Sequence, residues 1–301
     1  MTASASRAPD APVDLVVQAP ALSPEAIGAF RDCFPAASLL RQHASVRLVG
    51  VGRTPEVAAQ AAALAARWHC DATLVPPHLE LSGFRVLALD MDSTLVRIEG
   101  IDELAALAGL GSEVAAITDA AMQGQIGDYS ESLRQRVALL AGVDTSLLQT
   151  VAQRLELSAG AERLLGAARR AGLHSLLVTG GFAYFAKILQ RQLGIDRVCA
   201  NDVQMRDGRL TGIVVGPDGT PEQLVDAQGK ANALKQACAE AGCSTAQAIA
   251  IGDGANDLPM LALAGIGVAY HAKPAVRQST PYALNYSGLD GVLEWFTDTA
   301  A

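Results

Sequence analysis

Apolar and polar positions fall into three regimes along the 301-residue chain. From residue 13 to 75, short apolar runs of strand length (13–18, 37–41, 45–51, 72–75) alternate with two amphipathic stretches, 23–33 and 54–69. The amphipathic stretches open on Ser23-Pro24-Glu25 and Thr54-Pro55-Glu56, residue types that satisfy the free amides of a first helical turn. The pattern predicts a βαββαβ unit. Pro76-Pro77 and Ser82-Gly83 then mark a linker, after which 84–89 forms a compact apolar strand ending at Asp90.

Between 98 and 159 the period changes to helix after helix (101–107, 112–122, 129–140, 147–155), which predicts a helical lid inserted into a larger domain. Beyond it, strand-like runs at 175–178, 197–200, 248–251, 266–270 and 282–285 are separated by helical segments such as 182–193 and 230–241. Such alternation predicts a parallel sheet with helices on both faces. Asp207-Gly208, between 203–205 and 210–215, predicts a hairpin. The expected fold class is therefore α/β: a doubly wound parallel sheet with an inserted helical cap and a small N-terminal α+β domain. The expected boundaries are 1–80 for the N-terminal domain, 82–97 with 160–301 for the core, and 98–159 for the cap.

Composition narrows the function. Half the residues are apolar and 18% are charged, so the chain has ample material for a core. A net charge of −8 argues against a surface built for nucleic-acid phosphates. The longest apolar run, 260–270, is too short for a membrane span, and 1–20 lacks the form of a signal peptide, so the expected compartment is the cytosol. Five cysteines without metal-type spacing read as reduced thiols. Of 23 basic residues only Lys187, Lys230, Lys235 and Lys273 are lysine, so a lysine at a special position is informative.

Four segments carry chemistry. Asp90-Met91-Asp92-Ser93-Thr94 follows the strand 84–89, at the carboxyl end where ligands of open α/β sheets bind. Two carboxylates so close repel one another and favour a hard cation such as Mg²⁺. Thr179-Gly180-Gly181 follows the strand 175–178 and is expected to open a helix, presenting a hydroxyl and unobstructed amides to an anion. Lys230 is expected to begin another helix, where a cation is misplaced against the dipole unless it faces an anion. Gly252-Asp253-Gly254-Ala255-Asn256-Asp257 follows the strand 248–251 and brings further carboxylates to the same edge. Each segment taken singly is also a plain turn or a solvated side chain; their shared order along one sheet edge makes coincidence a poor account.

That order resembles the haloacid dehalogenase (HAD) superfamily, and within it the phosphoserine phosphatase family, over about residues 84–290. The likeness is strengthened by 96–103 around Glu99, by 132–137 around Arg136, and by 210–214 with 226–231. The resemblance implies a HAD-like Rossmannoid core and Mg²⁺-dependent hydrolysis of O-phospho-L-serine. Asp90 would be the nucleophile that becomes an aspartyl phosphate, and Asp92 the general acid and base. Asp90, the Asp92 backbone carbonyl and Asp253 would hold Mg²⁺, supported by Asp257. Thr179, Gly180, Lys230 and Asn256 would bind phosphoryl oxygens, while Glu99 and Arg136 would bind the substrate ammonium and carboxylate. Met122 and Tyr129 would line the apolar side, although 122–136 is one residue longer than usual and Tyr129 stands where the family has Phe.

The unit at 13–75 is similar in outline to ferredoxin-like, ACT-like modules that bind amino acids. Its first turn, 19–24, lacks the expected Gly/Asp loop, so a structural or homodimer-forming role is preferred for it. Two other functions stay open at this point: transfer of the phosphoryl group to another small molecule, and a regulatory amino-acid-binding protein with an inactive core.

Overall fold

The computed structural model describes residues 12–35, 38–42, 44–122 and 125–299. Ala37, expected to start a strand, and the side chain of Met122 lie outside the described residues. The N-terminal part runs β1 (Val13–Gln18), α1 (Pro24–Cys33), β2 (Ser38–Arg41), β3 (Ser45–Val51), α2 (Pro55–Trp68) and β4 (Asp71–Val75). Its four strands form an antiparallel sheet in the order β2-β3-β1-β4. Ser23 and Thr54 cap α1 and α2 by accepting from the Ala26 and Val57 amides, as their sequence position requires.

The core begins with β5 (Val86–Leu89), which lies at the centre of a seven-stranded sheet. Later elements are α7 (Ala161–Arg170), β6 (His174–Phe182), α8 (Ala183–Leu193), β7 (Arg197–Arg206), β8 (Arg209–Val215) and α9 (Ala227–Glu240). After them come β9 (Ala248–Gly252), α10 (Leu258–Leu263), β10 (Ile266–Tyr270), α11 (Pro274–Ser279) and β11 (Tyr282–Leu284). The sheet order is β11-β10-β9-β5-β6-β7-β8, with every pairing parallel except β7 with β8. Alternation along β5 fills both layers: Leu87 and Leu89 face the cluster containing Leu164, Phe185 and Leu189, whereas Val86 and Ala88 face the one containing Leu234, Ala237 and Met260. Both faces of the sheet are therefore covered, as a parallel sheet demands.

Between β5 and α7 lies the cap: α3 (Gly100–Leu107), α4 (Gly111–Met122), α5 (Tyr129–Leu139) and α6 (Ser146–Ala152). Its outgoing and returning strands are bound side by side, Arg97 N–H to Glu156 O at 2.9 Å and Ser158 N–H to Leu95 O at 2.9 Å. The β7–β8 hairpin leans on the cap, with Gly142 N–H donating to Leu210 O and Leu210 N–H to Val143 O.

Three expectations need correction. Segments 197–200 and 203–205 are one continuous strand, β7, because pairing with β8 extends its ladder past the parallel sheet. Thr179-Gly180-Gly181 does not open a helix: β6 continues to Phe182 and α8 starts at Ala183. Lys230 is the fourth residue of α9 rather than its first, since Asp226 caps the helix by accepting from the Gly229 amide at 2.7 Å.

The linker is held rather than free. Asp298 accepts from the Leu81 and Ser82 amides at 2.7 and 3.0 Å, and Thr297 N–H donates to Leu79 O. The N-terminal sheet is anchored by buried polar groups. Arg47 on β3 pairs with Asp14 at 3.1 Å and donates to the Glu294 and Trp295 carbonyls, and Asp71 accepts from the amides of Asn285, Tyr286 and Ser287.

Candidate active site

Asp90 closes β5, where its amide still pairs with Ile251 O of β9 at 2.9 Å. The chain then turns sharply, with Ser93 at φ +58° and the Leu95 amide reaching back to Asp90 O. A left-handed serine is sparsely populated backbone, held here by the bonds around it. Asp92 Oδ1 accepts from the Gly100 amide at 2.9 Å and its Oδ2 from Thr179 Oγ1 at 3.3 Å.

Lys230, fully buried on α9, donates to Asp90 Oδ1 at 2.5 Å and to Asp257 Oδ1 at 2.7 Å. Asp257 also accepts from the Gly254 amide at 3.0 Å, and Thr94 Oγ1 donates to Asp253 at 3.0 Å. Carboxylate oxygens of Asp90, Asp253 and Asp257 lie within 4.8 Å of one another. Three acids face one ammonium, a formal charge of −3 + 1 = −2, which is the deficit a divalent cation fills.

Burial and neighbouring charge shift the carboxyls of Asp90, Asp253 and Asp92. Burial, then the charges of Asp257 and Asp253, push the Asp90 carboxyl well above its ordinary range despite Lys230. Asp253 is pushed up to about 6 by burial and Asp257. Asp92 rises to about 7 through burial and the charge of Glu99, which places it where a group both gives and takes a proton near neutrality. Burial disfavours the charged form of Lys230, yet Asp257 and Asp90 outweigh it and hold the ammonium protonated.

The cap supplies the opposite wall. Tyr129, the first residue of α5, sets its hydroxyl against Gly180 so closely that a Cβ there would force the ring to shift. The charges of Lys230 and Arg136 both act on the Tyr129 phenol, though burial dominates and raises it to about 12. Arg136 is buried on α5, its Nη1 4.0 Å from Asp102 Oδ1, with its Nε left without a hydrogen-bond partner. An orphaned buried guanidinium N–H fits an anion better than a solvated surface role. Glu99 is exposed, accepts from Ser93 Oγ at 2.8 Å, and its charge reaches both Asp92 and Asp253. Asn256 sets its side-chain oxygen against Gly254.

Thus Asp90, Asp92, Thr179, Gly180, Lys230, Asp253, Asp257 and Tyr129 come together, with Glu99 and Arg136 at the cap-side margin. Sequence reasoning missed Asn201, which is fully buried on β7 and bonded to Gly180 O at 3.0 Å. A polar residue ending the apolar run before it was its signal.

Fold and site together define an α/β enzyme of the phosphoryl-transfer class. The family model of the haloacid dehalogenase-like hydrolases matches residues 87–262, and the chain belongs to that family. Phosphoserine phosphatase of Polaromonas sp. (strain JS666) is 51% identical over 219 residues, 72% of this chain and 92% of that protein. A crystal structure of a probable phosphoserine phosphatase from Vibrio cholerae superposes with TM-score 0.81 at 32% identity, covering 98% of this chain and 89% of the other. That coverage includes the N-terminal sheet. A phospho-aspartyl intermediate analogue of phosphoserine phosphatase superposes with TM-score 0.65 at 31% identity, covering 71% of this chain and 99% of the other.

Proposed function

We propose that this chain hydrolyses O-phospho-L-serine to L-serine and phosphate, with the phosphoryl group carried transiently by Asp90. The observation that carries the reading is the cluster of buried Asp90, Asp257 and Lys230 with half-buried Asp253, beneath a cap that presents Arg136. The relatives named phosphoserine phosphatase supply the substrate.

An oxygen of Asp90 attacks phosphorus, the bond from phosphorus to the serine oxygen breaks, and Asp92 gives its proton to the departing oxygen. Water then attacks phosphorus while losing a proton to Asp92, and the Asp90–phosphorus bond breaks to release phosphate. The raised pKa of Asp92 suits both directions of proton transfer. Thr179, Gly180, Lys230 and Asn256 hold the phosphoryl oxygens, and donors aimed at that group stabilise charge where it develops. Arg136 takes the substrate carboxylate and Glu99 its ammonium, while Tyr129 closes the apolar side.

Asp90, Asp253 and the Asp92 carbonyl would hold Mg²⁺, with Asp257 behind them, and the −2 deficit of the cluster fits that ion. When bound, Mg²⁺ supplies charge neutralisation and alignment of the phosphoryl group. The N-terminal domain (1–80) takes a structural role, supported by the bonds of Arg47 and Asp71 to the core. The compartment proposed for the chain is the cytosol; among the described residues no helix is long and apolar enough to cross a membrane.

A phosphate-release assay on a panel of small phosphorylated metabolites, with and without Mg²⁺, tests this. The expected result is Mg²⁺-dependent release with O-phosphoserine preferred. Preference for an ester lacking the amino-acid head group would overturn the substrate assignment.

A further inference from the structure

Strand β6 pairs in register with β7 up to Thr179 opposite Ala200, and pairing resumes with Phe182 opposite Asn201. Two residues, Gly180 and Gly181, therefore bulge out of the ladder against a single step of the partner strand. A bulge frees backbone groups that need other partners when buried. The Gly181 amide finds Thr179 Oγ1 at 2.8 Å, and the Gly180 carbonyl accepts from Asn201 Nδ2 at 3.0 Å.

The same Asn201 side chain makes two further bonds. Its Oδ1 accepts from the Val225 amide at 2.7 Å, and its Nδ2 also reaches Val225 O at 3.3 Å. Val225 immediately precedes Asp226, the cap of α9, and one turn later that helix delivers Lys230 to Asp90. Asn201 is fully buried, so no water competes for these bonds.

We infer that Asn201 is a positioning residue, one that fixes the Thr179-Gly180 segment and the start of α9 relative to each other so that their phosphoryl ligands converge. It touches neither substrate nor reacting atoms; it acts through the Gly180 backbone and through Lys230. Other side chains do not reproduce the role. A leucine of similar size leaves the Gly180 carbonyl and the Val225 amide unpaired, and an aspartate keeps the acceptor for Val225 N–H but turns a carboxylate on the Gly180 carbonyl. The inference rests on the reading of Thr179, Gly180 and Lys230 as phosphoryl ligands.

Asn201→Asp and Asn201→Ala are compared with the full-length wild type by circular dichroism, steady-state kinetics on O-phosphoserine, and calorimetric titration with inorganic phosphate in excess Mg²⁺. The expected result is a native-like spectrum with kcat/KM lowered by about tenfold or more, and phosphate affinity lowered in parallel, as the loss of buried hydrogen bonds implies. Asn201→Asp keeps size and one bond, Asn201→Ala avoids a buried carboxylate, and whichever of the two folds carries the test. Wild-type kcat, KM and phosphate affinity in a folded variant would overturn the inference. If the wild type itself does not hydrolyse O-phosphoserine, the substrate reading fails, and the phosphate titration alone still decides whether Asn201 organises the site: unchanged affinity refutes it, and weakened affinity supports it.

Discussion

Lys230 donates to Asp90 across 2.5 Å although 140 positions separate them in the chain. The bond joins the end of the central strand to the first turn of α9 in a place where Asp257 and Asp253 leave negative charge in excess. Replacing Asp90 by Asn removes one of three clustered acids. The expected outcome is loss of turnover by a factor of about a thousand or more, since no nucleophile remains, with a thermal midpoint in metal-free buffer no lower than wild type because repulsion is relieved. Phosphate release and a thermal melt check the two halves separately.

Lys230→Met acts in the opposite direction. It leaves buried acids without their ammonium, and breaking a buried ion pair by removing one partner costs about 3–5 kcal/mol. Urea denaturation is expected to show that loss with a chelator present and a smaller one in excess Mg²⁺, because a bound cation takes over part of the neutralisation. An equal loss in both conditions would separate the acid cluster from metal binding.

How much of this was legible beforehand depended on whether a residue's role was local. Asp90 and Asp253 follow uninterrupted apolar strands, so their place at the sheet edge is written in the residues before them. Gly180-Gly181 misled because a glycine pair after an apolar run has the look of a strand end, whereas pairing with Asn201 resumes beyond it. The start of α9 was misplaced because Asp226 caps a turn, Ala227-Gln228-Gly229, with little helical pattern of its own. Arg47, Asp14 and Asp71 gave no warning of their burial, since the docking of the N-terminal sheet onto residues 285–295 is a contact between segments more than 200 positions apart. The fit of Tyr129 against Gly180 is likewise visible only once the cap is in place.

Metal binding is expected to stabilise the folded chain by mass action. An ion at a hundred times its dissociation constant adds about 2.7 kcal/mol if it binds the folded state alone. The thermal midpoint of the wild type should therefore climb with Mg²⁺ concentration, and that of Asp253→Ala should stay nearly flat. A variant that climbs as steeply as the wild type would remove Asp253 from the ion's ligands.

Arg136 has a buried Nε without a hydrogen-bond partner, and hydrogen bonds to charged groups are worth about 1.5–3 kcal/mol. Arg136→Ala is expected to raise KM for O-phosphoserine by roughly ten- to a hundredfold. With a phosphate ester that has no carboxylate the change should be much smaller. Steady-state kinetics on the two substrates decide it, and equal effects would take Arg136 out of carboxylate recognition.

Acid stability should depend on Asp298, which ties the C-terminal segment to the turn at Leu81–Gly83. Partial burial works against its ionisation, but the amides of Ser82 and Leu81 outweigh it, and its pKa is lowered from 3.8 in the folded chain. A carboxyl depressed by folding contributes stability above its unfolded pKa and loses that contribution as pH falls through the folded value. Asp298→Asn should therefore be less stable than wild type at neutral pH, with the gap closing below 3.8 as the wild-type carboxyl takes up its proton. Urea denaturation of both proteins across the acid range measures the gap directly. A gap that stays constant with pH would mean that Asp298 acts through shape rather than charge, and one that widens toward acid would contradict the direction of its shift.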